Sequence, residues 1–203
     1  MERSDIINRL IKTYDYKSYL EIGYGNGYTF HKINAPTKVG VDGGTGTPSG
    51  DSVVVRMRSE DYFKMAAKQG ASKYDIIFID GSHLSEDVEK DLGSALEFLN
   101  EGGSVVMHDC NPPNQFFQER SQSPHVGGWC GDVWKAFVRF RATRKDIEMC
   151  VVDTDYGCGV VRVGSQDVLS LDINKDLTYD NLEQNRKEWL NLISIEEFLE
   201  RHR

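Results

Sequence analysis

The segment that most restricts the fold is residues 19–27, YLEIGYGNG, where a short apolar run breaks into glycines at alternate positions. Glycines there permit a tight turn and let the main chain come close to a ligand. Residues 18–22 read as a strand, and a helix is expected to start near Tyr28. Downstream, strand-like and helix-like stretches alternate. Residues 38–42 and 51–57 read as strands, and Ser59 as a helix N-cap with Glu60 and Asp61 in the first turn. Residues 74–80 are a near-continuous apolar run closed by a carboxylate, as in a strand buried on both faces. The next helix puts Val88, Leu92, Ala95, Leu96 and Leu99 on one face, and Gly102 and Gly103 are expected to stop it. Residues 104–108 form a fifth strand, with two more near 147–152 and 159–163. This order predicts an α/β, doubly wound, Rossmann-like sheet, mostly parallel, with helices on both faces. Such sheets bind ligands beyond the carboxyl ends of their strands.

A length of 203 residues with neither repeat nor linker reads as a single domain over 1–203. Within it, 1–16 reads as an N-terminal helix and 177–203 as C-terminal helices, the last opened by a capping box of Ser194 and Glu197. Residues 111–131 carry three prolines, three glycines and little periodicity. A loop of about 20 residues in a compact domain usually covers a binding site, so 110–131 is expected to be the substrate loop.

A formal charge of −8 argues against a nucleic-acid partner, which would require clustered Lys and Arg. No stretch approaches the ~18 apolar residues of a membrane span. The charged opening MERSDIINRL lacks the apolar core of a signal peptide, so a cytoplasmic location is expected. Cys110, Cys130, Cys150 and Cys158 form no CxxC pair and read as reduced thiols. Oligomeric state leaves no signature.

The glycine turn admits any nucleotide-like ligand, and its residues narrow the choice. Dinucleotide sites use G-x-G-x-x-G; here the spacing is G-x-G-x-G, with Glu21 two residues ahead of the first glycine. A carboxylate there is awkward beside a pyrophosphate, but it suits a ligand with an amino group and a sulfonium, and S-adenosylmethionine has both. Asp42 closes the second strand, where an acidic side chain can hold ribose hydroxyls. A nicotinamide-dependent oxidoreductase and a catalytically inactive S-adenosylmethionine-binding module are the alternatives.

With YLEIGYGNGYTF, KVGVD, FIDGSH followed by DLGSAL, and GGSVVMHDCNPP followed by GDVWKAF, the chain resembles the class I S-adenosylmethionine-dependent methyltransferases. More narrowly, it is similar to a bacterial subgroup acting on oxygens of small molecules or sugars. The likeness spans about Tyr19 to Trp189. It implies a seven-stranded sheet with the last strand antiparallel. It also implies that Glu21, Gly23, Gly25 and Gly27 line the methionine part, Asp42 the ribose, and Ser59 and Glu60 the adenine, with Asp80 facing the methyl group.

Methyl transfer needs an aligned nucleophile and a group to take its proton. Asp80, His83, His108 and Asp109 lie at the ends of adjacent strands and should converge. His83 and His108 are the candidate bases, with Asp109 beside them. Asp80 and Asp109 could share a divalent cation such as Mg with a substrate oxygen. The residue after Asp109 is Cys110, a poor ligand for a hard ion, leaving Asn111, His83 or His108 to stand in. Trp129, Phe116 and Phe117 are placed in an apolar wall over the acceptor and Trp134 in the core. The match of Asn111–Pro112–Pro113 to the motif of DNA amino-methyltransferases is read as accidental: it follows the fifth strand, and Asn114 stands where the stacking aromatic belongs.

Overall fold

A computed structural model describes residues 1–44, 53–122 and 128–203. Eight strands form one sheet: β1 (Ser18–Ile22), β2 (Thr37–Val41), β3 (Val53–Val55), β4 (Tyr74–Ile79), β5 (Leu99–Met107), β6 (Ile147–Val152), β7 (Cys158–Val163) and β8 (Leu192–Ile193). Their order is β3-β2-β1-β4-β5-β7-β6-β8. Only β7 runs against its neighbours, β5 and β6. Six helices cover the sheet: α1 (Arg3–Tyr14), α2 (Ser59–Gln69), α3 (Ser85–Glu97), α4 (Val133–Thr143), α5 (Tyr179–Trp189) and α6 (Ile195–Arg201). Among the described residues, no helix is long and apolar enough to cross a membrane.

Two apolar cores divide the two faces. The larger gathers Leu20, Ile77, Val105, Trp134 and Phe137 beneath α2 to α5. The smaller gathers Ile6, Leu10, Tyr19, Phe78, Val106 and Phe198 beneath α1 and α6. Strand parity explains the split, since Leu20 and Tyr19, or Ile77 and Phe78, point to opposite faces.

Four expectations need correction. The sheet has eight strands rather than seven, because residues 192–193 add a short edge strand parallel to β6. No α-helix begins near Tyr28; the chain makes a single 3-10 turn at residues 30–32, having little room between the glycines and Pro36. Gly102 and Gly103 do not end α3, which stops at Glu97; they lie inside β5. There the register against β4 shifts between Tyr74 and Ile76, and a Cβ on Gly103 would lie 2.8 Å from the Asp75 carbonyl. The glycine lets the irregular strand stay close to its neighbour. Arg58 rather than Ser59 is the N-cap of α2. Residues 51 and 52 of the expected third strand, and residues 123–127 of the expected loop, lie outside the described residues.

Candidate active site

The first turn after β1 is shaped by glycine. Gly23 has φ +91°, and a Cβ there would sit 2.1 Å from the Asp80 carbonyl oxygen. The turn therefore lies directly against the end of β4, which no side chain would allow. Gly25, at φ +54°, faces open space. Its N–H donates to Asp42 Oδ2 at 2.6 Å, and Gly44 N–H donates to Oδ1 at 2.6 Å, so Asp42 ties the turn to the end of β2. Gly27 has φ +78° and lines neither of the two cavities described next. A Cβ there would collide with the Tyr24 hydroxyl, so its part is to close the turn.

Two cavities open at this end of the sheet. One, of about 410 Å³, is lined by Asp42, Met57, Ser59, Glu60 and residues of α3 including Asp91. The other, of about 340 Å³, is lined by Arg3, Glu21, Asp80, His83, His108, Asp109, Trp129 and Tyr156. Gly23, Gly25 and Asp80 line both, so together they form one cleft bent over the glycine turn.

Glu21 is 2 % exposed, and the Tyr19 hydroxyl donates to it. Burial pushes its pKa up to about 8, against the downward pull of that hydrogen bond. Asp91 is likewise raised to about 6 by burial.

Asp80, His83, His108 and Asp109 converge. His83 Nδ1 lies 3.2 Å from Asp109 Oδ2, yet it is buried without an aligned hydrogen bond. The His83 ring stacks on Trp129 at 4.5 Å and 7°. Asp109 has φ +60°, a left-handed backbone that a carboxylate residue adopts at some cost, as residues held for function often do. His108 Nδ1 lies 3.3 Å from both Asp80 Oδ1 and Asp109 Oδ2, and its Nε2 3.3 Å from Asp155 Oδ1. Burial disfavours the imidazolium, but hydrogen bonds with Asp109, Asp155 and Asp80 outweigh it and raise the pKa of His108.

Several participants left no motif in the sequence. Arg3, from the first turn of α1, donates through Nη1 to Asp155 at 3.0 and 3.1 Å, and lies 3.0 Å from His108 Nε2. Its Nε donates to the Thr29 hydroxyl and sits 3.7 Å from Asp80. Asp155 and Tyr156 come from the β6–β7 turn, both at positive φ. Burial works against the charge of Asp155, but His108 and Arg3 hold its carboxyl well below the usual range. The weak signal for this turn was the D-Y-G run of residues 155–157 between two strands. Cys110 is fully buried and Asn111 donates to Asp153, so neither joins the cluster. The four cysteines are free. Of the expected apolar wall, Trp129 lines the cleft, whereas Phe116 is exposed and Phe117 packs toward Tyr156. Trp134 is core.

Asp80, His83 and Asp109 can bring three ligand atoms within 4.8 Å of one another. Two carboxylates and an imidazole form a donor set compatible with a divalent ion.

Residues 37–110 match the family described as a methyltransferase domain. No curated protein sequence matches the chain. Among solved structures, it is similar to an O-methyltransferase from Bacillus cereus in complex with SAH: 13% identity, 78% of this chain and 79% of that one, TM-score 0.57. It is also similar to the O-methyltransferase TomG from Streptomyces achromogenes in complex with SAM: 16% identity, 79% of each chain, TM-score 0.59. MycE of the mycinamycin biosynthetic pathway, in complex with Mg, SAH and mycinamycin VI, matches at 15% identity and TM-score 0.53 over 81% of this chain and 50% of its own. Residues 37–110 thus match a methyltransferase family in sequence, and the chain shares its fold with solved O-methyltransferases.

Proposed function

We propose that this chain, acting as one domain over 1–203, transfers a methyl group from S-adenosylmethionine to an oxygen of a small molecule or sugar. One observation carries the reading: a single cleft has the buried carboxylate of Glu21 at one end and Asp42 at the other, with Gly23 and Gly25 between. The fit is chemical. Glu21 would hold an amino group, Asp42 the ribose hydroxyls, Ser59 and Glu60 the adenine, and Gly25 leaves the room that a side chain would fill. Around Asp80, three carboxylates face one guanidinium and the imidazoles of His83 and His108, a carboxylate-rich lining that suits a cationic ligand. An acidic chain with a small acceptor also fits a cytoplasmic protein without a nucleic-acid partner.

The cofactor supplies an electrophilic methyl on a sulfonium. His83 is the general base: it lines the cleft, has its orientation fixed by Trp129, and keeps Nδ1 toward Asp109. Nδ1 is off line for a hydrogen bond, as is common in a catalytic pair before its substrate closes in. Nε2 then takes the acceptor's hydroxyl proton, and Asp109 stabilises the charged ring. His108 is enclosed by Asp80, Asp109, Asp155 and Arg3, so its part is to hold the aspartates in place.

The buried, unaligned Nδ1 of His83 favours a second reading, in which Asp80, His83 and Asp109 hold a divalent cation against the acceptor oxygen.

Titration calorimetry with S-adenosylmethionine, S-adenosylhomocysteine and NAD tests the class: the two sulfur ligands should bind and NAD should not. Binding of NAD alone would overturn the proposal. Release of S-adenosylhomocysteine across a panel of phenolic and sugar acceptors then tests the base. His83→Gln should keep cofactor affinity and lose turnover. Activity that survives exhaustive chelation rules out the metal reading.

A further inference from the structure

At the opposite end of the sheet lies a cavity of about 400 Å³, bounded by β6, β7 and the ends of α1 and α6. It is separate from the cleft: Arg162 on its wall pairs in register with Ser104 and donates to the Gly102 carbonyl within β5, whereas Asp109 follows the end of that strand. Its polar wall carries Arg162, Arg201 and His202 together with Glu148, and its apolar floor is Cys150 and Val160, the Met149 side chain belonging to the core on the other face of the sheet.

Arg162 is the feature that stands out. Its Nη1 donates to the Tyr14 hydroxyl at 2.6 Å, its Nη2 to the Gly102 carbonyl at 3.1 Å, and its guanidinium lies 4.0 Å from the Tyr14 ring centroid. Its Nε is buried without a hydrogen-bond partner. No carboxylate among the described residues makes an ion pair with it. Glu148 is its cross-strand partner, but it packs along Gly164 instead. The neighbouring cations are accounted for otherwise. Arg9 donates to the carbonyls of His202 and Leu199 at the end of α6, and Arg141 to those of Glu188 and Trp189 at the end of α5, where helix dipoles favour positive charge. Arg201 pairs with Glu197 at the rim. Among these arginines, Arg162 is the one left with neither an ion pair nor a carbonyl-capping role at a helix end and with an Nε lacking a partner, on a chain whose net charge is −8. The local field agrees with this: burial and the nearby Arg162, Arg201 and Arg9 hold His202 down to about 4.

An unmatched guanidinium with an orphan buried N–H is costly unless a ligand completes it. We propose that this cavity binds a small organic anion, a carboxylate or phosphate monoester, with its charged oxygens on Arg162 and Arg201 and its apolar body on Cys150 and Val160. Arginine suits both head groups because its planar fork meets two oxygens at once.

The test uses the full chain saturated with S-adenosylhomocysteine, so that the cofactor part of the cleft is filled, and titrates phenyl phosphate, benzoate and phenol separately, counting only binding that moves the His202 signals. The readouts are calorimetry and the His202 imidazole resonances. Saturable binding of phenyl phosphate or benzoate that moves the His202 signals, with none of phenol, is expected, and the tighter of the two anions identifies the head group. Arg162→Gln should weaken that binding at least tenfold. Arg201→Gln, an exposed change at the rim that leaves the core intact, should weaken it severalfold. No saturation by about 10 mM, equal binding of phenol, or unchanged affinity in both variants would overturn the proposal.

Discussion

Two carboxylates at opposite ends of the sheet show how differently one chain can treat the same group. Asp75, at the start of β4, accepts the N–H groups of Lys17 and Ser18, the Ser18 hydroxyl and the Asn100 amide. Those donors outweigh its desolvation and lower its pKa. Glu21, at the far end of the adjacent strand, is buried with Tyr19 as its one hydrogen-bond donor and is raised to about 8. A donor-saturated acid stabilises the fold. One buried nearly without donors costs the fold stability and is left with binding capacity for something else. By this measure the end of the sheet that bears Glu21, Asp80 and Asp109 is the proposed working end, and the end that bears Asp75 is scaffold with one exception, Arg162.

The largest expected effect tests the working end. Asp109→Asn keeps a residue tolerant of the left-handed backbone but removes the charge beside His83 and His108. Turnover should fall about 10²–10⁴-fold, with cofactor affinity by calorimetry almost unchanged; an activity loss under threefold would remove Asp109 from the mechanism. Gly23→Ala follows, since its Cβ would overlap the Asp80 carbonyl. Denaturant melts should show a loss of about 2–3 kcal/mol, together with loss of cofactor binding.

A paired comparison sharpens the contrast between the acids. Asp75→Asn should cost about 2 kcal/mol of stability while leaving cofactor affinity intact. Glu21→Gln should do the reverse. The raised pKa of Glu21 means that the folded state holds its proton more tightly than the unfolded chain, so this group's contribution is complete below about pH 4.5 and lost as pH rises through about 8. At pH 8 the ligand-free variant should therefore be more stable than the parent chain, and its affinity for S-adenosylmethionine should drop about tenfold. If both substitutions destabilise and neither touches binding, the distinction between the two ends fails.

The smallest effect concerns His202. Its folded value near 4 lies below the ordinary value of 6.5, so its contribution to stability is complete above about pH 6.5 and is lost as pH falls through about 4. Melts across that window should lose about 1 kcal/mol, allowing for solvent screening, and His202→Phe should flatten that part of the profile.

Much of the working end was legible because strand ends and chemistry coincide there. Glu21, Asp42, Asp80 and Asp109 each close or directly follow an apolar run, so reading the strands also assembled most of the cleft. His83 was reached the same way, two residues beyond Gly81. Arg3, Thr29, Asp155 and Tyr156 were not reached. Arg3 and Asp155 are 152 positions apart and meet only because α1 packs over the smaller core. The helix expected near Tyr28 failed for a local reason, as too few residues remain before Pro36 to complete one. Gly102 and Gly103 misled because glycine marks both a helix end and an irregular strand. The charge of Arg162 was invisible in the sequence, where Glu148 gives no sign that it will turn aside.

The stacking of Trp129 on His83 provides an optical probe of the proposed base. Trp134 and Trp189 lie buried against each other, 6.5 Å apart and away from the cleft, whereas Trp129 sits 4.5 Å from the imidazole. The emission of an indole is sensitive to a ring stacked on it, so the fluorescence of Trp129 should change when a ligand entering the cleft shifts His83. In a Trp134→Phe, Trp189→Phe background, the surroundings of that one ring can be followed in real time, without isotope labelling and before any acceptor is identified.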